Sequence, residues 1–298
     1  MSKWIQETRP QFLTLAAVLV LHATLLALWK DGSVNWLHAL LAGVGLILLQ
    51  ASVNVLNDWH DFSKTGIDKN NPKTPFSGGS GLLPAGTMTA SQALALGVGT
   101  LVAGSAIGVY LAWVAGWELL AIGAFGVVTI VLYTPVLNRL GLGELFTGFA
   151  LGTLPVVGTY FLLTGRFDLV AWVSGIPAGL LTYNLLLLNE FPDAEADAAG
   201  GRRHMVIMLG KARAAWLYTA VELGAYVAIA VGVALGIMTP WALLGLLPLV
   251  VALKAIKGAL SDYNEIEGLI PSMGANVMAV LFTNILLGVG YLIAALLA

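Results

Sequence analysis

Cysteine is absent from the 298 residues, which excludes disulfides and thiolate metal sites. Charge is scarce as well: only 10% of residues are Asp, Glu, Lys or Arg, against roughly 25% in a soluble domain. With 58% hydrophobic residues and a mean hydropathy of +0.88, the chain reads as an all-α polytopic membrane protein rather than a soluble one. No cleavable signal peptide is evident, because the first apolar run, from Phe12 to Trp29, is long enough to span and is followed by many others. The net charge of −2 shows no basic excess, and no nucleic-acid partner is expected.

A helix needs about 20 apolar residues to cross a bilayer. Nine segments qualify: 12–29, 36–56, 90–113, 117–133, 144–164, 169–189, 213–235, 239–257 and 275–297. The eighth is the least regular, since it contains Pro240 and Pro248 and ends on Lys254 and Lys257. Lys and Arg fall 12 to 2 between the two sets of loops. By the positive-inside rule this puts the N-terminus on the cytoplasmic side and the C-terminus outside. A single domain over 1–298 is expected, made of two pseudo-repeated four-helix halves, about 12–133 and 144–257, plus a ninth helix at 275–297.

What acidity the chain has is concentrated. Asn54–Asp68, NVLNDWHDFSKTGID, and Asn189–Asp197, NEFPDAEAD, hold seven of the 16 acidic residues, at the ends of the second and sixth spans. At an offset of 132 residues Asn57 meets Asn189, Asp58 meets Glu190 and Asp61 meets Asp193. Asn54, Asn57, Asp58 and Asp61 share a helical face for as long as the helix continues, with Gly66 its expected end and Asp68 beyond on the loop. Asn189, Asp193 and Asp197 are spaced for one face too. Glu195 lies off that face and reads as solvated; His60 and His204 read as surface residues.

Carboxylates and amides without His or Cys beside them are hard oxygen ligands, suited to Mg²⁺. Magnesium usually completes its shell with water and phosphate oxygens, and Lys73, Arg202, Arg203 and Lys211 in the adjoining loops are candidate phosphate partners. The 57–89 loop also carries Pro72, Pro75 and the run Phe76-Ser77-Gly78-Gly79-Ser80-Gly81, a composition suited to a tight, reordering cover. A magnesium-held diphosphate is a good leaving group. If it is allylic, the resulting carbocation needs a water-free cavity, and the apolar tail can lie in a groove open to lipid. Tyr133, at the end of the fourth span, is a candidate to line the site.

The motifs Asn57–Asp61 (NDxxD) and Asn189–Asp197 (NExxDxxxD) resemble those of the UbiA superfamily of intramembrane prenyltransferases. The resemblance extends to Arg9-Pro10, Tyr133-Thr134-Pro135 and GGRRHMVIMLG at 200–210. NxxNDxxDxxxxGxD followed by PFSGGSG looks most like the menaquinone branch, which prenylates 1,4-dihydroxy-2-naphthoate. The resemblance implies a nine-helix UbiA-type bundle with a cytoplasmic-side active site. Its ligands would be a polyprenyl diphosphate and a small aromatic acceptor, and two Mg²⁺ held by Asn57, Asp58, Asp61, Asn189, Asp193 and Asp197. Asn54 and Lys73 would serve the diphosphate, and a motif carboxylate or Tyr133 would take the acceptor's proton. The commoner pattern wants a carboxylate at position 65. This chain has Thr65, and Asp68 is the candidate substitute.

Two other readings stand beside this one. Another UbiA acceptor is possible: 4-hydroxybenzoate, homogentisate, a haem vinyl group or a glycerol-phosphate lipid. An ion-coupled transporter would instead place its acids near mid-membrane; here, outside the two clusters, only Glu222 lies well inside a span.

Overall fold

The computed structural model describes residues 1–69 and 71–298, and no strand occurs among them. Among the described residues nine helices are long and apolar enough to cross a bilayer: α1 Pro10–Asp31, α2 Trp36–Thr65, α3 Ala90–Ala115, α4 Trp117–Leu140, α5 Gly143–Thr164, α6 Leu169–Asn189, α7 Lys211–Ala234, α8 Pro240–Ser261 and α9 Ile266–Leu297. Every expected span has its helix, and the chain is a multi-pass membrane protein. α2 runs past its apolar segment to Thr65, just before Gly66 where its end is expected, whereas α9 starts at Ile266 instead of 275. Hydropathy stops where charge begins, whereas a helix continues as long as its backbone hydrogen bonds close. The irregular eighth span starts as a 3₁₀ segment, Pro240–Leu246, and becomes α-helical over Leu249–Ser261. Pro248, which cannot donate a backbone bond, marks the joint.

Local signals set the helix starts. Asn35 Oδ1 accepts the His38 N–H at 3.1 Å before α2, and Thr89 with Gln92 forms a reciprocal capping box at α3. In lipid no hydrophobic drive pulls helices together, so close packing of small residues must. A Cβ on Gly152 of α5 would lie 2.7 Å from the Gly179 Cα of α6, so these two backbones can touch only through glycine. The main core, with Leu19, Leu26, Tyr160, Leu181, Ile229 and Tyr291, lies between α1, α5, α6, α7 and α9. Trp113 and Trp117, 83% and 75% exposed at the α3–α4 turn, stand where an interfacial aromatic belt does.

Polar groups inside the bundle are tied to neighbouring helices. His22 bonds Asn284 at 3.1 Å and Ser174 at 2.7 Å. Glu222 of α7 accepts from Asn184 of α6 at 2.8 Å. At one end of the bundle Arg166 pairs with Asp31 and Asp168. At the other, the close of α2 and α6 and the opening of α1 and α5 come together with two long loops, and the site lies there.

Candidate active site

α2 widens into a π-helical turn over Asp61–Thr65, a feature frequent at functional sites. The Thr65 hydroxyl donates to the Asp61 carbonyl at 3.1 Å and accepts the Ile67 N–H at 3.4 Å. Gly66, at φ +73°, then ends the helix where the sequence places its stop. The chain doubles back, and Asp68 arrives 4% exposed on the same cavity wall as Asp58 and Asp61. Thr65 therefore helps to turn the chain, and the turn brings the Asp68 carboxylate to the cavity.

The second cluster departs from the expected single helical face. α6 stops at Asn189, residues 190–193 form a turn, and a short helix resumes over Ala194–Ala199. Pro192 is the physical reason, because its ring clashes with the carbonyl four residues back. Asn189, Asp193 and Asp197 nevertheless all line the cavity, brought there by the turn.

The cavity has a volume of about 150 Å³. Asn54, Asn57, Asp58, Asp61, Asp68, Tyr133, Asn189, Asp193, Asp197 and Arg202 line it, joining both clusters in one place. The glycine-rich loop is its cover. Ser80 N–H donates to Asp58 at 2.6 Å and Gly78 N–H to Asp193 at 3.1 Å, so the cover bonds to both halves. Gly79 between them has φ +75°, and a Cβ there would lie 3.0 Å from Asp58 Oδ1 and 3.1 Å from Asp68 Oδ1. Only glycine fits that backbone against two carboxylates.

Among the predicted cations, Arg202 and Lys73 reach the cluster. Arg202 pairs with Asp61 and, at 2.9 Å, with Asp197, bridging the two motifs. Lys73 bonds Asp68 and the Gly78 carbonyl. Arg203 is exposed, and neither it nor Lys211 lines the cavity, so these two expectations are corrected. Arg203 stands on the segment that leaves the site, and Lys211 opens α7. Glu195 is exposed as expected, but His60 is half-buried, 3.9 Å from Asp61, and His204 is only 1% exposed. His204 sits between Glu190 at 3.6 Å and Asp197 at 3.3 Å, and two carboxylates draw it inward.

The loop carboxylates respond to this crowding. Burial, and then Asp197, push Asp193 up to about 7. Burial raises Asp68, partly offset by Lys73. For Asp197 burial also pulls upward, but His204 and Arg202 outweigh it and hold the carboxyl below its ordinary range. Close-packed acids with raised pKa values mark a place awaiting positive charge. Asp61 Oδ1, Asp68 Oδ2, Asn189 Oδ1, Asp193 Oδ1 and Asp197 Oδ2 are buried with no hydrogen-bond partner. All five are acceptor oxygens around one cavity, so the residues fit a hard divalent cation such as Mg²⁺.

Several residues of the site carry no role in the motif reading. Arg9 lines the cavity and donates to the Phe76 carbonyl at 3.2 Å. It is the lone non-glycine with positive φ among the described residues, at 55°, a strained conformation of the kind kept at functional positions. Its signal was a cation directly before the proline that opens α1. Glu7, fully buried, accepts from Ser80 Oγ at 2.6 Å; burial, then Asp58, raise it to about 7. Thr134 accepts from Asn57 at 3.1 Å. Glu190 lines the cavity and Glu144 is buried behind it, and burial, then Glu144, hold Glu190 well above the carboxylate range. A second, almost wholly apolar cavity of about 300 Å³ lies between α2, α3, α4 and α5. Leu151 of α5 lines the first cavity and Ala150 and Leu154 the second, so the two adjoin along one helix.

Residues 16–265 match the family model described as the UbiA prenyltransferase family. A 1,4-dihydroxy-2-naphthoate octaprenyltransferase of Bacillus subtilis (strain 168) is 29% identical over 293 residues, covering 97% of this chain and 92% of that one. The apo structure of a UbiA homologue from Aeropyrum pernix K1 superposes with a TM-score of 0.72 at 18% identity, over 93% of this chain and 97% of that one. A UbiA homologue from Archaeoglobus fulgidus, bound to GPP and Mg²⁺, gives a TM-score of 0.65 at 13% identity, over 96% and 99%.

Proposed function

The chain belongs to the UbiA prenyltransferase family, and from that premise we propose that it moves a polyprenyl group from an allylic diphosphate to 1,4-dihydroxy-2-naphthoate. The observation that carries the reading is the meeting of both acidic motifs around one cavity, with five unpartnered acceptor oxygens and with Arg9, Arg202 and Lys73 at its edge. Asn57, Asp58, Asp61, Asp68, Asn189, Asp193 and Asp197 would hold Mg²⁺, whose chemistry is to stabilise charge on the departing diphosphate. The relative solved with GPP and Mg²⁺ supports this choice of ion and donor.

The chain's own residues divide the remaining work. Lys73 and Arg9 stand where diphosphate oxygens would be received, beside the cover loop. Loop and helix ends exclude water, and the prenyl tail follows α5 from the polar cavity to the apolar one. The allylic C–O bond breaks and pyrophosphate leaves. The ring carbon that bears the acceptor's carboxylate forms the new C–C bond, CO₂ leaves from that same carbon and its bonding pair restores the aromatic ring. A motif carboxylate takes the phenolic proton during attack and returns it afterwards, while Tyr133, which lines the cavity, offers a neutral hydroxyl to the acceptor. The excess of Lys and Arg on this side supports a cytoplasmic site, with the N-terminus inside and the C-terminus outside.

The acceptor reading rests on the name of the Bacillus relative and on the motif resemblance. Membranes carrying the protein, given Mg²⁺, a polyprenyl diphosphate and 1,4-dihydroxy-2-naphthoate, should yield a prenylated, decarboxylated product by mass spectrometry. No such product, with turnover on 4-hydroxybenzoate or a glycerol-phosphate lipid, overturns the acceptor and keeps the family. The transporter reading loses its footing in Glu222, which ties α7 to α6 through Asn184.

A further inference from the structure

Behind the diphosphate cavity three side chains from separate elements converge: Glu144 in the first turn of α5, Glu190 directly after α6, and His204 ahead of the short helix Met205–Leu209. They are 0%, 6% and 1% exposed. One ligand atom from each lies within 4.8 Å of the other two. Glu144 Oε1 accepts the Met205 N–H at 2.6 Å, but Glu144 Oε2, Glu190 Oε2 and both ring nitrogens of His204 are buried without a hydrogen-bond partner. Among the described residues no lysine or arginine pairs with either glutamate; Arg202 is engaged by Asp61 and Asp197. One imidazole, shared with Asp197, is the only basic group beside the two buried carboxylates among the described residues; such a pair is costly, and a divalent ion would neutralise both.

We propose that Glu144, Glu190 and His204 form a second metal site, distinct from the magnesium-diphosphate cluster, for a borderline first-row divalent ion such as Zn²⁺. The donor set selects the class: imidazole suits zinc and its neighbours, whereas magnesium prefers oxygen and water. His204 lies close enough to take part. Its Nε2 lies 3.3 Å from Asp197 Oδ2 and its Nδ1 faces Glu190. With its proton on Nε2, the nitrogen near Asp197, the Nδ1 lone pair is free for the ion, and on binding the ring can settle into the carboxylate–histidine–metal arrangement. The site joins the start of α5 and the end of α6 to the segment carrying Asp197 and Arg202. Its role is to fix the second acidic motif in place, and Glu190, which also lines the cavity, couples the two sites.

The test is Zn²⁺ uptake by the full-length protein in detergent, under millimolar Mg²⁺, by equilibrium dialysis and elemental analysis. One equivalent is expected, with affinity lowered at least about tenfold by Glu144→Gln and by His204→Asn and unchanged by Asp61→Asn. A Zn²⁺-dependent rise in Tm, present in the wild type and absent from variants that still unfold cooperatively, separates lost ligation from lost folding. The wild type loaded with Cu²⁺ should also show imidazole nitrogen hyperfine coupling in its paramagnetic resonance spectrum, a readout that needs no variant. No uptake, equal uptake by all variants, absence of nitrogen coupling, or loss of uptake on Asp61→Asn would each overturn the proposal. The last would place the ion in the diphosphate cluster.

Discussion

Arg202→Ala leaves Asp61 and Asp197, 5% and 1% exposed, facing each other without their shared cation. One guanidinium closes both pairs, Nη2 to Asp61 and Nη1 to Asp197 at 2.9 Å, with its own side chain 12% exposed and little screened by solvent. Removing one partner of a buried pair costs about 3–5 kcal/mol. In a chain of this size each kcal/mol moves Tm by roughly 2–4 °C, so a fall of roughly 6–20 °C is expected without metal. Saturating Mg²⁺ supplies positive charge to the same carboxylates and should at least halve the deficit. Arg202→Lys should fall between, since a compact ammonium cannot span both partners as a fork does. Thermal unfolding of detergent-purified protein in EDTA and in Mg²⁺ reads both arms. An unchanged Tm in EDTA, or the same fall with and without Mg²⁺, would refute the reasoning.

Other outcomes follow from the same geometry. Asp58→Asn and Asp193→Asn should each lower prenyl transfer by about two to three orders of magnitude, the scale for losing one transition-state charge stabiliser, while Glu195→Gln on the exposed face leaves it unchanged. Gly79→Ala should cost about 1–2 kcal/mol for its left-handed backbone and raise the KM for the diphosphate by pressing on Asp58 and Asp68; an unaltered KM would show that the cover does not seat the substrate. Since Asp193 is raised to about 7, a proton holds the ligand oxygen below that pH, and Mg²⁺ affinity by calorimetry should fall from pH 8 to 6. The apo protein runs the other way. Its folded Asp193 binds the proton more tightly than the unfolded chain does, so Tm in EDTA rises as pH drops from about 7 toward 4.

Much of this molecule is legible without coordinates, because hydropathy and charge placement are local quantities. Nine spans and the gathering of both acidic motifs at one end follow from them. The two motifs differ in how they could be read. Gly66 announces its own turn, and with it the return of Asp68; Pro192 announces a break that a face-counting argument passes over. The trio of Glu144, Glu190 and His204 is opaque for another reason. Its members come from three elements and share no period, and only the packing of α5, α6 and the 190–210 segment makes them neighbours. Arg9 lies between these cases, visible as a charge before a proline but with its left-handed backbone hidden.

The cover loop also has a thermodynamic consequence. With Ser80 N–H on Asp58 and Gly78 N–H on Asp193, two carboxylate oxygens are already spoken for by peptide groups. An arriving ion and diphosphate are competing against the protein's own main chain. The affinity an experimenter measures is then the intrinsic affinity scaled by the fraction of molecules in which those N–H hydrogen bonds have let go. Loop residues that never touch a substrate can thus tune how much of it the enzyme holds, leaving the pocket itself unaltered.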